Sequence, residues 1–191
     1  MSKSRLEAFS DGVFAVLITI MVLELKVPHG DDWSALRPLI PVFLTYVLSF
    51  IFLGIYWNNH HHMLHAAERI TGKVLWPNLH LLFWLSLVPF ITGWMGENHF
   101  APLPTAVYGV ILLMAAFAYT ILQRVLVAQQ APGSRLATAL GSDTKGKLSL
   151  LMYLAAVPLA FVNHWISLAI YVAVAVTWMV PDRRIESTFT R

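Results

Sequence analysis

Arg5 to Val27 reads RLEAFSDGVFAVLITIMVLELKV, an apolar segment with a polar signature at one end and branched aliphatics behind it. From Phe9 onward it offers roughly 28 Å of helix at about 1.5 Å per residue, against a bilayer hydrocarbon core of about 30 Å. It is long enough to span. Ser10, Asp11, Gly12, Thr19, Glu24 and Lys26 nevertheless lie along it. Ionisable groups within a bilayer are costly unless they face a partner or a water-filled cavity, so these positions need an explanation.

The rest of the chain has the composition of a polytopic membrane protein. Its 191 residues are 58% hydrophobic and 12% charged, with a mean hydropathy of +0.66. A soluble domain is about 45 to 50% apolar and about 25% charged. There is no cysteine, which removes disulfides and thiolate metal or redox sites from consideration. The first segment lacks a basic n-region followed by a small-residue cleavage site, so it is expected to stay as the first membrane helix rather than be cut away. The net charge of +3 is modest, and no nucleic-acid partner is expected.

The sequence predicts an all-α integral membrane protein, one domain over 1–191, with six transmembrane helices at about 5–27, 35–66, 74–95, 103–128, 147–162 and 165–180. Pro28 is expected to end the first helix and Ser34 to cap the second. The second turns polar at YWNNHHHMLHAAER, so its last turns should reach out of the bilayer. Only Asn163 and His164 separate the last two, which should form a tight hairpin before Pro181. With the N-terminus inside, eleven Lys and Arg residues lie inside and two, Lys26 and Arg37, outside, which favours that orientation. Glu24, Asp31, Asp32 and Glu97 then give the outer side an acidic excess that would concentrate cations.

No Gly-rich phosphate loop, HExxH, nucleophile elbow or acid–base carboxylate pair occurs, so the chain is not read as an enzyme. His60, His61, His62 and His65 cluster near the inner end of the second helix. His61 and His65 share a face at i and i+4, but two imidazoles are half of a zinc site, which leaves them weak metal candidates. A second use for the cluster comes from depth. Glu7 and Asp11 stack on one face of the first helix and need donors, which His60 to His65 and the Trp57 indole can supply. A buried polar knot joining Ser10 and Asp11 to His60 and Asn78 would fix the first helix in place. On the remaining face, Val16, Thr19 or Ile20, and Leu23 recur at helical spacing, a pattern that lipid or core packing explains equally well.

Arg5, Phe9, Ser10 and Asp11 match the RxxxFSD signature of the transmembrane protein 175 family of potassium-permeable channels. Trp57 and His60 in YWNNH, Asn78 and Pro89 in LWPNLHLLFWLSLVPF, and the closing VPDRRIE also resemble that family's pattern, so the likeness spans nearly the whole chain. Animal relatives carry two six-helix repeats and pair as dimers; a single repeat resembles the bacterial homotetramer. The resemblance implies a central pore lined by the first helix of each subunit, with no TVGYG filter loop. It places the narrow aliphatic rings at Val16, Ile20 and Leu23, and a hydroxyl beside them at Thr19. Val16 departs from the family, which often carries Ile or Leu there. No cofactor is implied beyond permeant potassium ions; the partners are membrane lipid, monovalent cations and further copies of the chain. Expected from this are a plasma-membrane location, both termini cytoplasmic, and modest potassium over sodium selectivity resting on dehydration cost. The competing readings are a secondary transporter or metal-binding membrane protein using His60 to His65, and a membrane scaffold without transport.

Overall fold

The computed structural model describes residues 2–68, 70–131, 133, 134, 136, 137 and 143–179, and every regular element among them is helical. Helix α1 runs Lys3–Leu23 and turns Leu6, Ser10, Phe14, Leu17 and Met21 inward at intervals of three or four residues. It stops short of the predicted Val27. Leu25 falls back on a 3.2 Å bond to the Val22 carbonyl, and Lys26 leaves the helix axis to pair with Glu97. Pro28 then bars any resumption, having no N–H to donate. The other end is held by a contact the sequence does not announce: the Lys3 ammonium donates to the carbonyls of His65 and Ala67 at 2.8 and 3.0 Å, capping the helix that ends there.

That helix is α3, Ile40–Ala66, reached through the short α2, Trp33–Leu36, and a 3-10 turn, Arg37–Leu39. Pro38 and Pro41 sit in the first turns of these elements, where a missing N–H costs nothing. Asp32, not the expected Ser34, caps α2: its carboxylate accepts from the Ala35 N–H at 3.2 Å and from the Ser34 hydroxyl at 2.8 Å. Those two bonds hold the Asp32 carboxyl below the usual carboxylate range. The cap is therefore complete at neutral pH and is lost as pH falls through that lowered value.

The predicted third helix is two. After the 3-10 turn Gly72–Val74, α4 runs Leu75–Ser86 and α5 runs Val88–Glu97, with Leu87 at the joint. Pro89 is the cause, since it cannot donate to Leu85 and its ring crowds that carbonyl; the ladder resumes with Ile91 N–H on the Leu87 carbonyl at 3.1 Å. Helix α6, Pro102–Val127, follows. Its end is tied to the α3–α4 connection by Gln129, which accepts from the Thr71 hydroxyl at 2.7 Å, and by Gln130, which accepts from the Glu68 N–H at 2.9 Å.

The last element, α7, is 36 residues, Thr144–Met179, with Asn163 in a non-helical conformation at φ −157° and ψ 105°. Unbroken, it would reach about 54 Å, far beyond a bilayer core. Instead 144–162 and 164–179 fold back on each other. The Ser167 hydroxyl donates to the Ala156 carbonyl at 2.7 Å, the Trp178 indole to the Ser149 hydroxyl at 2.8 Å, and the Tyr153 and Tyr171 rings lie 6.3 Å apart. Asn163 starts the second half by accepting from the Trp165 N–H at 3.0 Å.

Among the described residues, five helical spans are long and apolar enough to cross a membrane, the fifth being this doubled α7. They share a core that includes Phe14, Leu53, Leu81, Leu85, Ile91, Tyr108, Leu122, Tyr153 and Tyr171. Lys3, Lys73, Arg124, Lys145 and Lys147 belong to segments meeting at one end, and Glu24, Lys26, Asp32 and Glu97 to segments meeting at the other. The helices approach closely where a side chain is missing. A Cβ on Gly96 would lie 2.6 Å from Thr45 Oγ1 and 2.7 Å from Val42 Cα. Because Val42 Cα is backbone, Gly96→Ala should separate α5 from α3 and cost about 1 to 3 kcal/mol, read as a lower unfolding temperature in detergent. Native stability in that variant would contradict the close packing.

Candidate functional site: a locked and an open face of α1

The inward face of α1 carries the polar knot. Ser10, His60 and Asn78 are 0, 1 and 0% exposed, so none can fall back on water. Asn78 Nδ2 donates to Ser10 Oγ at 3.0 Å, and Ser10 donates in turn to the Leu6 carbonyl at 2.9 Å. Asn78 Oδ1 is an acceptor and lies 2.7 Å from His60 Nε2. The imidazole proton is therefore assigned to Nε2, and the chain runs in one direction: His60 to Asn78 to Ser10 to the α1 backbone. The Phe14 ring packs 5.7 Å from the imidazole and closes the knot on its apolar side.

Asp11 is not part of that chain, although the sequence reading put it there. It sits half-buried at the edge of α1 and accepts from the Trp57 indole N–H at 3.0 Å. The reason is angular: Asp11 is about 100° around the helix from Ser10 and meets the outer flank of α3 rather than its buried side. Trp57, His61 and His65 form a column on that flank, with ring centroids 6.2 and 6.0 Å apart. Among the described residues, no three His, Asp or Glu side chains are placed to hold a metal ion. Glu7 is half-buried and Arg5 is exposed.

The opposite face of α1 has no partner among the described residues. Phe9 is 52% exposed, Val16 53%, Ile20 40% and Leu23 79%, and Gly12, Ala15 and Thr19 are exposed between them. The Thr19 hydroxyl bonds back to the carbonyls of Ala15 and Val16 at 3.1 and 2.9 Å, which leaves its oxygen lone pairs pointing away from the helix. The structure thus brings Val16, Thr19, Ile20 and Leu23 onto one outward stripe and adds Phe9, Gly12 and Ala15. Extending the spacing of three and four residues back from Val16 and Thr19 would have found them.

At the acidic end, a recess of about 1070 Å³ lies beside the exit of α1, lined by Glu24, Lys26, Trp33, Arg37, Glu97 and His99 among others. The hydrogen bond to Glu97 holds the Lys26 ammonium above the ordinary lysine range. That pair is fully at the surface, and its contribution is confined to placing the connection. The closing VPDRRIE, together with Arg69 and Arg135, lies outside the described residues.

Residues 5–89 match a family described as the endosomal/lysosomal potassium channel TMEM175. A protein of Chryseobacterium sp. (strain P1-3) named a potassium channel is 50% identical over 188 residues, covering 98% of this chain and 98% of its own length. A potassium channel of Chamaesiphon minutus is 31% identical, covering 90% of this chain and 91% of its own. A crystal structure described as a lysosomal potassium-selective channel TMEM175 homolog from Chamaesiphon minutus superposes with a TM-score of 0.82 at 28% identity, over 95% of this chain and 97% of that one. The human endosomal/lysosomal proton channel TMEM175 is 35% identical over 96 residues, 44% of this chain but 19% of its own length.

The two polar contacts of α1 should differ in weight. Asn78→Ala strands two buried groups, each at about 1 to 3 kcal/mol, so a loss of at least about 2 kcal/mol is expected. Trp57→Phe removes one half-exposed N–H and should cost about 1 kcal/mol. Unfolding in detergent, followed by circular dichroism, would show the reverse order if α1 were held mainly through Asp11.

Proposed function

Since this chain belongs to the TMEM175 family, we propose that it is a potassium-permeable cation channel whose pore is lined by α1 of each subunit. One observation carries the reading: α1 is locked by Ser10 on one side and leaves Val16, Thr19, Ile20 and Leu23 exposed among the described residues on the other. In a homotetramer four such stripes meet on an axis. Rings of aliphatic side chains there make a gap too narrow and too apolar for a hydrated cation, which closes the path by dewetting. A small tilt or rotation of α1 opens it. Nothing in such a ring replaces a hydration shell, so ions are sorted mainly by dehydration cost, which is lower for potassium than for sodium. The Thr19 oxygens offset part of it. Glu24, Asp31 and Asp32 raise the cation concentration at the mouth.

The helical hairpin in α7 supports six crossings per chain. An even number puts both termini on one side, and the gathering of Lys3, Lys73, Arg124, Lys145 and Lys147 supports the cytoplasmic side of a bacterial plasma membrane. Lipid covers the remaining outward apolar residues, such as Phe161 and Val162.

Proteoliposomes holding the native chain should pass potassium in unitary current steps and pass it faster than sodium. Ile20→Asn and Leu23→Asn should raise flux at least several-fold and reduce the ion preference, whereas Phe161→Ala should change neither. Unchanged flux in both α1 variants would remove that helix from the pore. Saturable, proton-coupled flux abolished by His61→Ala would replace the channel with a transporter.

A further inference from the structure

A second cavity, of about 40 Å³, lies between α3, α6 and both halves of α7, and no residue of α1 is among its described lining. By that measure it has room for about three water-sized groups. Tyr56 and Asn59 reach it from α3, Tyr119 from α6, and Tyr153 and Trp178 from the two halves of α7. Phe52 and Ile55 add apolar wall.

Several polar groups of the lining are already spent. The Tyr119 hydroxyl donates to the Asn59 carbonyl at 3.3 Å, and the Trp178 indole to the Ser149 hydroxyl at 2.8 Å. Ser149 and Thr120 donate in turn to the carbonyls of Lys145 and Ala116, both at 2.9 Å. The Asp143 carboxylate accepts from the Gly146 N–H at 3.1 Å and is engaged further, so it is not open to a guest. Three oxygens remain. Asn59 Nδ2 donates to the Ile55 carbonyl at 2.8 Å, which leaves its Oδ1 as a pure acceptor with no donor among the described residues. The Tyr56 and Tyr153 hydroxyls likewise have no hydrogen-bond partner among the described residues, although Tyr153 is only 2% exposed. Every fully enclosed side-chain nitrogen or oxygen among the described residues does have one, so these three oxygens open onto the cavity.

Two hydroxyls that donate or accept, and one amide oxygen that only accepts, match a neutral O–H group that does both. The walls beyond them are rings and aliphatic carbon. We propose that this cavity binds a short-chain alcohol of about two or three carbons, its hydroxyl donating to Asn59 Oδ1 and accepting from the Tyr56 or Tyr153 hydroxyl. Water makes the same hydrogen bonds, but the molecules beyond the first face apolar wall. An alkyl stem displaces those poorly held waters, which raises affinity, while the hydroxyl keeps the polar contacts. A charged guest gains nothing from the three open oxygens that a neutral one does not, and loses its hydration. The site stands apart from the pore, bridges α3 to α7 in the supporting scaffold, and does not depend on what passes through the channel.

The chain has six tyrosines, and their ring carbons bearing the hydroxyl report on its hydrogen bonding. The full chain in phosphatidylcholine nanodiscs, carbon-13 labelled at those positions and titrated with n-propanol, should show saturable movement of the Tyr56 and Tyr153 resonances, assigned through Tyr56→Phe and Tyr153→Phe. Tyr46, Tyr108 and Tyr171 should stay in place. An equal concentration of 1-chloropropane, which has the stem without the hydroxyl, should move them far less, as should 1-hexanol, which is too long for the cavity. Asn59→Leu keeps the bulk and removes the acceptor, and should weaken n-propanol binding about fivefold. Tyr153→Phe, read on the Tyr56 resonance, should weaken it by a similar factor and carries the test alone if the first variant does not fold. No movement with n-propanol means that water alone fills the cavity and overturns the proposal. So does an unsaturating drift of all six resonances, an equal response to 1-chloropropane, or undiminished binding in both variants.

Discussion

Asn78 sets the rotation of α1, and the outward face of the molecule follows from it. Its side chain satisfies Ser10 with one end and His60 with the other, in an interior where neither has access to water. Each such group left unpaired costs about 1 to 3 kcal/mol, and more where lipid replaces water. Turning α1 by one residue moves every side chain through about 100°, which would break this chain of bonds and exchange Phe14 and Leu17 for Ala15 and Ile18 on the packed side. In an apolar helix surrounded by lipid, hydrophobic contacts alone discriminate weakly between such rotations, because every face is greasy. The polar knot discriminates strongly.

The same need to satisfy backbone groups explains the breaks in the scaffold. Pro89 divides one crossing into α4 and α5, and the ladder resumes two residues later at Ile91. Asn163 divides α7 and supplies its own side chain to the Trp165 N–H two residues on. The body assembled from these pieces is pinned where Gly96 lets α5 touch the backbone of α3. Against that rigid support α1 stands at the margin, held from one side.

Much of this was legible in the sequence. The helical class, the hairpin at Asn163 and the membership of Ser10, His60 and Asn78 in one cluster could be read from hydropathy and from polar residues at matching depth. Other features could not, for physical reasons. The early end of α1 depends on Lys26 finding Glu97, 71 positions away, and the cap on α3 depends on Lys3 reaching His65, 62 positions away. Hydropathy does not register the joint at Leu87, because both sides of it are apolar. Asp32 displaced Ser34 as a cap because the two differ by two positions, and the carboxylate accepts from both Ser34 and Ala35. The stripe at Val16, Thr19, Ile20 and Leu23 has a helical period that lipid-facing residues share, and it was the family resemblance that singled it out.

The native chain contains no cysteine, which makes single introduced thiols clean reporters of where water reaches. Reconstituted channels carrying Gly12→Cys, Thr19→Cys or Leu23→Cys should lose most of their potassium flux on treatment with a charged thiosulfonate, while Phe161→Cys and Val162→Cys keep theirs. Equal block in both groups, or none in the α1 group, would contradict the assignment of the open face of α1 to the pore.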